Sequence, residues 1–140
     1  MAELQSILVV DDDAEMLKAL TFALETEGYK VAARPDARSA VELILATAKH
    51  FDLVITDVSM PGMKGTQLLT TLKTAFPSTP VIIITAFGDW EQYAQAMSEG
   101  AFEFLSKPIA KEELLACVRR ALAEESQPAP EHATPPRDAC

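Results

Sequence analysis

The sequence predicts an α/β fold, a parallel sheet of five strands with helices on both faces. Three observations predict it. Short runs rich in Val, Ile and Leu alternate five times with longer segments whose apolar residues recur at helical spacing. The runs carry too few polar residues for strands with one wet face, so both faces are expected to be covered. Several runs also stop abruptly at a polar residue, at Asp11, Asp57, Thr85 and Lys107.

The elements follow in order. Ser6-Ile7-Leu8-Val9-Val10 is the first strand and runs into Asp11-Asp12-Asp13, with Asp13 placed as a helix N-cap. Met16, Leu17, Leu20, Ala23 and Leu24 form one helical face, which Gly28 closes. A second strand, Tyr29 to Ala33, leads to Pro35-Asp36 and to a helix with Ala37, Ala40, Val41, Ile44, Leu45 and Ala48 on its apolar face. The third strand, Leu53 to Thr56, delivers Asp57 and is followed by a loop, Met60 to Gly65, in which Gly62 and Gly65 permit turns. Leu68, Leu69, Leu72 and Phe76 mark the third helix, which Pro77 ends. Pro80 to Thr85 is the fourth strand, and a fourth helix carries Trp90, Tyr93, Ala94 and Met97 up to Gly100. The fifth strand, Phe102 to Ser106, stops at Lys107-Pro108, and the fifth helix spans Lys111 to Glu125 with Leu114, Leu115, Val118, Ala121 and Leu122 on one face. Right-handed crossovers leave few topologies for five such units and favour a (βα)5 doubly wound sheet in the flavodoxin-like order 2-1-3-4-5. In that order the first and third strands are neighbours, and Asp11, Asp12, Asp57, Thr85 and Lys107 gather at one edge.

Composition narrows the function. The 140 residues suffice for one domain, assigned to residues 1–125. Residues 126–140 hold four prolines and no large apolar residue, and read as a disordered tail or linker stub. No apolar run approaches the roughly 20 residues of a membrane span, and no signal peptide opens the chain, so a cytoplasmic location is expected. A net charge of -9 argues against direct nucleic-acid binding and favours a cation or a cationic partner. Cys117, near a helix stripe, and Cys140, the final residue, have no metal-ligand spacing and read as inert thiols. His50 and His132 lie away from the predicted edge.

Carboxylates crowded at one edge repel one another by about 4 kcal/mol per close pair at an effective dielectric near 20. Hard oxygen ligands with room left for water or substrate suit Mg²⁺ or Mn²⁺. Asp12 and Asp57 are the expected direct ligands, Asp11 a water-mediated one, and the Ser59 carbonyl a backbone ligand. A carboxylate nucleophile, a divalent metal, the Lys107 ammonium and the Thr85 hydroxyl together make up the set that an aspartyl phosphate requires.

Across about residues 5–125 the sequence resembles the receiver domains of two-component response regulators. The matching pieces are Ile7-Leu8-Val9-Val10-Asp11-Asp12-Asp13, Asp57 with Met60-Pro61-Gly62-Met63-Lys64-Gly65, Ile84-Thr85-Ala86 and Lys107-Pro108. The resemblance implies that Asp57 is the phosphoacceptor, that Asp11 and Asp12 hold Mg²⁺, that Lys107 binds phosphate, and that Thr85 and Phe104 are the switch pair. It implies a cis Lys107-Pro108 peptide. Phe104 stands where many receivers have Tyr, so its ring is expected to favour the buried position.

The stretches 85–89 and 100–105 look most like receivers of the NtrC type, in which an ATPase module and a DNA-binding domain follow. The implied partners are a sensor histidine kinase or phosphotransfer protein as donor and a downstream effector or output domain. The face of the fourth helix, fifth strand and fifth helix is the one expected to switch; Trp90 and Tyr93 on it serve either packing or signalling, and whether it also forms a homodimer is left open by the sequence. Only self-catalysed phosphotransfer and dephosphorylation are implied, not turnover of an external substrate. Two other classes compete. A Mg²⁺-dependent phosphatase with an aspartyl nucleophile would need a second Asp where Ser59 stands, and a phosphorylation-independent interaction module would leave the acidic set without a task.

Overall fold

The computed structural model describes residues 5–47, 51–57, 65–85, 94, 97, 98 and 100–125. Strands β1 (Ser6–Val10), β2 (Lys30–Arg34), β3 (Leu53–Asp57), β4 (Val81–Thr85) and β5 (Glu103–Ser106) form one parallel sheet in the order β2-β1-β3-β4-β5. Helices α1 (Ala14–Thr26), α2 (Ala37–Thr47) and α3 (Gly65–Ala75) and a last helix, Lys111–Glu125, complete the described elements. The fold class and strand order expected from the sequence are therefore those observed. None of the described helices is long and apolar enough to cross a membrane.

Strand alternation sorts the core into two layers. Ile7, Val9, Leu53, Ile55, Ile82, Ile84 and Leu105 face α1 and the last helix, meeting Leu20, Leu24, Leu115, Val118 and Leu122. Leu8, Val10, Val54, Val81, Ile83 and Phe104 face the other way, toward Ala37, Ala40 and Ile44 of α2 and Leu69 and Leu72 of α3. β3 and β4 are buried along their whole length, which explains why their apolar residues run on without polar alternation up to Thr56 and Thr85.

Helix ends set where the strands begin. α1 starts at Asp13, whose side chain accepts hydrogen bonds from the backbone N–H groups of Glu15 and Met16. It ends in a Schellman motif: Gly28 N–H donates to the Glu25 carbonyl and Tyr29 N–H to the Leu24 carbonyl, with Gly28 at φ 98°. Tyr29 is thus spent on the helix terminus, and β2 begins at Lys30, one residue later than expected. Leu45 corrects a second expectation, since it is 75% exposed. At 100° per residue it lies roughly a third of a turn from the middle of the Ala37, Ala40, Ile44 stripe, beyond the sheet's reach. Of the fourth predicted helix only Ala94, Met97 and Ser98 are described, and they are helical. Trp90, Tyr93, His50, His132, Cys140, the 60–64 stretch and the 126–140 tail lie outside the described residues.

Candidate functional site

The site forms because β1 and β3 are neighbours that end level with each other. Val10 is the register partner of Thr56, so the residues that follow, Asp11 and Asp57, stand side by side at the carboxyl edge of the sheet. Asp11 N–H donates to the Arg34 carbonyl at 3.2 Å, extending the β1–β2 ladder, and Asp11 Oδ1 accepts the Asp13 N–H at 2.9 Å. The turn into α1 thereby fixes the Asp11 carboxylate. Asp12, next in the chain, is exposed. One carboxylate oxygen from each of Asp11, Asp12 and Asp57 lies within 4.8 Å of the others.

Lys107 closes the cluster from β5. Its backbone N–H donates to the Thr85 carbonyl at 2.8 Å, continuing the β4–β5 ladder one residue past the strand. Its Nζ lies 3.0 Å from Asp57 Oδ2, as a hydrogen bond, and 3.0 Å from Asp11 Oδ2. The second contact is an ion pair outside hydrogen-bonding geometry, so Asp11 Oδ2 is a buried oxygen that accepts no hydrogen bond among the described residues. The Lys107-Pro108 peptide is cis.

Both partners of this ion pair are shifted upward, which disfavours the charge on Asp11 and favours it on Lys107. Burial pushes the Asp11 carboxyl above its ordinary value, and neither the Asp13 N–H nor Lys107 fully offsets it. Burial alone would lower the Lys107 ammonium, yet its short contacts with the Asp57 and Asp11 carboxylates together carry it above its ordinary value. Asp11 is wholly enclosed whereas Lys107 keeps partial access to water, so the carboxylate bears the larger desolvation cost. Three carboxylates with one ammonium among them remain short of positive charge. A hard divalent cation fits this donor set and would share Asp11 Oδ2 with the Lys107 ammonium.

Thr85 is fully buried at the end of β4, one residue beyond Ile84, the register partner of Asp57. Phe104 is 8% exposed, its ring in the layer beneath α2 and α3. Ser59 lies outside the described residues. Two contributors escape a reading of residue types alone, the Asp13 N–H on Asp11 and the Thr56 hydroxyl, which donates to the Asp57 carbonyl at 3.1 Å. The only sequence signal for the latter is a Thr inside an otherwise apolar run.

Comparison with known proteins adds the following. The family described as the response regulator receiver domain matches residues 7–119. The C4-dicarboxylate transport transcriptional regulatory protein DctD of Pseudomonas aeruginosa is 42% identical over 117 residues, covering 83% of this chain and 25% of the relative. The DNA-binding transcriptional regulator NtrC of Proteus hauseri is 34% identical, over 88% of this chain and 26% of the relative. The chain thus spans about a quarter of the length of these two relatives. Among solved structures, a receiver domain protein of Clostridium thermocellum superposes with a TM-score of 0.82 at 34% identity, covering 87% of this chain and 97% of that one. A beryllofluoride-activated NtrC4 receiver domain dimer superposes with a TM-score of 0.81 at 33% identity, covering 86% and 98%.

Proposed function

The chain belongs to the response regulator receiver domain family, signalling domains of two-component systems, and on that premise we propose that Asp57 is its phosphoacceptor and that the acyl phosphate sets its conformation. The observation that carries the proposal is the Lys107 ammonium 3.0 Å from both Asp57 and Asp11, beside a cluster of three carboxylates. In the transfer, an Asp57 carboxylate oxygen bonds to phosphorus as the bond from phosphorus to the donor breaks, the donor keeping that electron pair. Lys107 exchanges its hydrogen bond to Asp57 for one to the phosphoryl oxygens, and the Thr85 hydroxyl supplies a further donor. Asp11 and Asp12, with Asp57 and the Ser59 carbonyl, would hold Mg²⁺ or Mn²⁺, which when bound neutralises charge on the phosphoryl group. Hydrolysis of the acyl phosphate on the same residues resets the domain, and no external substrate is turned over.

The donor in this reading is a histidine kinase phosphohistidine or a phosphotransfer protein, and the chain works in the cytoplasm. The surface of the fourth predicted helix, β5 and the last helix changes its preference for an effector, an output domain or a second copy. Two relatives are named as transcriptional regulators and one similar receiver is described as a dimer, which supports a transcriptional output and a homodimer. Phosphate acts by favouring one of two pre-existing states. The inward ring of Phe104 supports a resting state that already holds part of the active arrangement. In this reading residues 1–125 are the receiver and 126–140 a proline-rich tail or linker stub.

Incubation with Mg²⁺ and acetyl phosphate tests the reading by intact mass. The parent gains one phosphoryl group, Asp57→Asn gains none, and chelation beforehand blocks the gain. A folded parent that gains nothing contradicts it.

A further inference from the structure

Thr56 occupies a position where a hydroxyl is unexpected. It is fully buried in β3, on the side of the sheet that faces α2 and α3, and its register partners on either side are Val10 and Ile83. Those neighbours offer no polar side chain, and a buried hydroxyl without a hydrogen bond costs stability that a Val of similar shape would avoid. The hydroxyl finds its partner along its own strand, donating to the Asp57 carbonyl at 3.1 Å. β3 ends at Asp57, which is the last residue of the strand in register with β4. The ladder therefore holds Asp57 from its amino side, and the Thr56 hydroxyl restrains it on its carbonyl side. Between them they fix the Cα from which the carboxylate projects.

We propose that Thr56 is a positioning residue for Asp57: its hydroxyl holds the last residue of β3 so that the carboxylate meets the incoming phosphorus in the productive orientation. The inference rests on Asp57 being the phosphoacceptor. The Thr56 hydroxyl exchanges no proton with the reacting groups; it acts only through the Asp57 backbone. Its contribution is preorganisation, which bears on the rate of the chemical step rather than on donor binding.

The test compares the parent, Thr56→Val, Thr56→Ser and Thr56→Ala in their initial rates of phosphoryl gain from acetyl phosphate at saturating Mg²⁺, with thermal unfolding alongside. Thr56→Val removes the hydroxyl and keeps the shape. Its maximal rate falls about three- to tenfold, the size expected for one hydrogen bond, at an unchanged half-saturating concentration of acetyl phosphate. Thr56→Ser keeps the hydroxyl and stays within about twofold of the parent even if its melting temperature drops. Should Thr56→Val fail to fold, Thr56→Ser against Thr56→Ala isolates the hydroxyl, and Thr56→Ser is the faster. A folded Thr56→Val as fast as the parent, or a Thr56→Ser as slow as Thr56→Val, overturns the positioning role while leaving Asp57 as acceptor. A folded parent that takes no phosphoryl group overturns both.

Discussion

Asp13 performs two tasks within three residues. Its side chain caps α1 and its backbone N–H holds Asp11 Oδ1, so the helix start and the acidic site share one turn. Replacing it with Ala costs about 1 kcal/mol by urea unfolding, and replacing it with Ser restores most of that. Asp11 gives a pH signature. Its folded pKa is raised, so the charged form is disfavoured in the native state, and without metal the native chain takes up the proton before the unfolded one as pH falls. The stability advantage of Asp11→Asn over the parent is therefore full at neutral pH and shrinks on acidification, in the window above the ordinary Asp value of 3.8. Denaturant midpoints of both proteins across pH check this; an advantage that grows on acidification contradicts it. At this scale Asp11, Asp12, Asp57 and Lys107 were legible because each follows or ends an apolar run. The Asp13 N–H and the Thr56 hydroxyl were not, because their roles depend on a turn and a rotamer that residue type does not encode.

Helices and strands were legible to within a residue or so wherever an apolar run met a breaker. β3 and β4, covered on both faces, announce themselves as continuous runs. The start of β2 did not, because Tyr29 is β-prone yet its N–H completes the Schellman bond to Leu24. Gly28 enforces that ending: a Cβ there meets nothing within 4 Å, so only the φ of 98° opposes a side chain. Gly28→Ala accordingly loses about 1 kcal/mol of stability by thermal unfolding, with phosphorylation unchanged. At the far end of α3, Lys73 Nζ donates to the Pro77 and Thr79 carbonyls while its stem lies where a Cβ on Gly100 would touch it. The helix end, the turn before β4 and the approach to β5 are joined by that one side chain.

At the scale of the whole molecule, the order β2-β1-β3-β4-β5 converts separate sequence positions into one site, because it makes the ends of β1 and β3 adjacent and sets β4 beside β3. A cation bound there stabilises the entire fold by mass action, by about 2.7 kcal/mol at a hundredfold excess over its dissociation constant. Mg²⁺ should raise the melting temperature of the parent and leave that of Asp11→Asn nearly unchanged; an equal rise in both would remove Asp11 from the metal site. The central claim, that Asp57 carries the phosphoryl group, is tested most directly by chemical trapping. The protein is treated with acetyl phosphate and Mg²⁺, reduced with borohydride, which converts an aspartyl phosphate to homoserine, and sequenced by tandem mass spectrometry. Homoserine at position 57 alone is the predicted result; homoserine at Asp11, Asp12 or Asp13, or at no position in a phosphorylated sample, would contradict it.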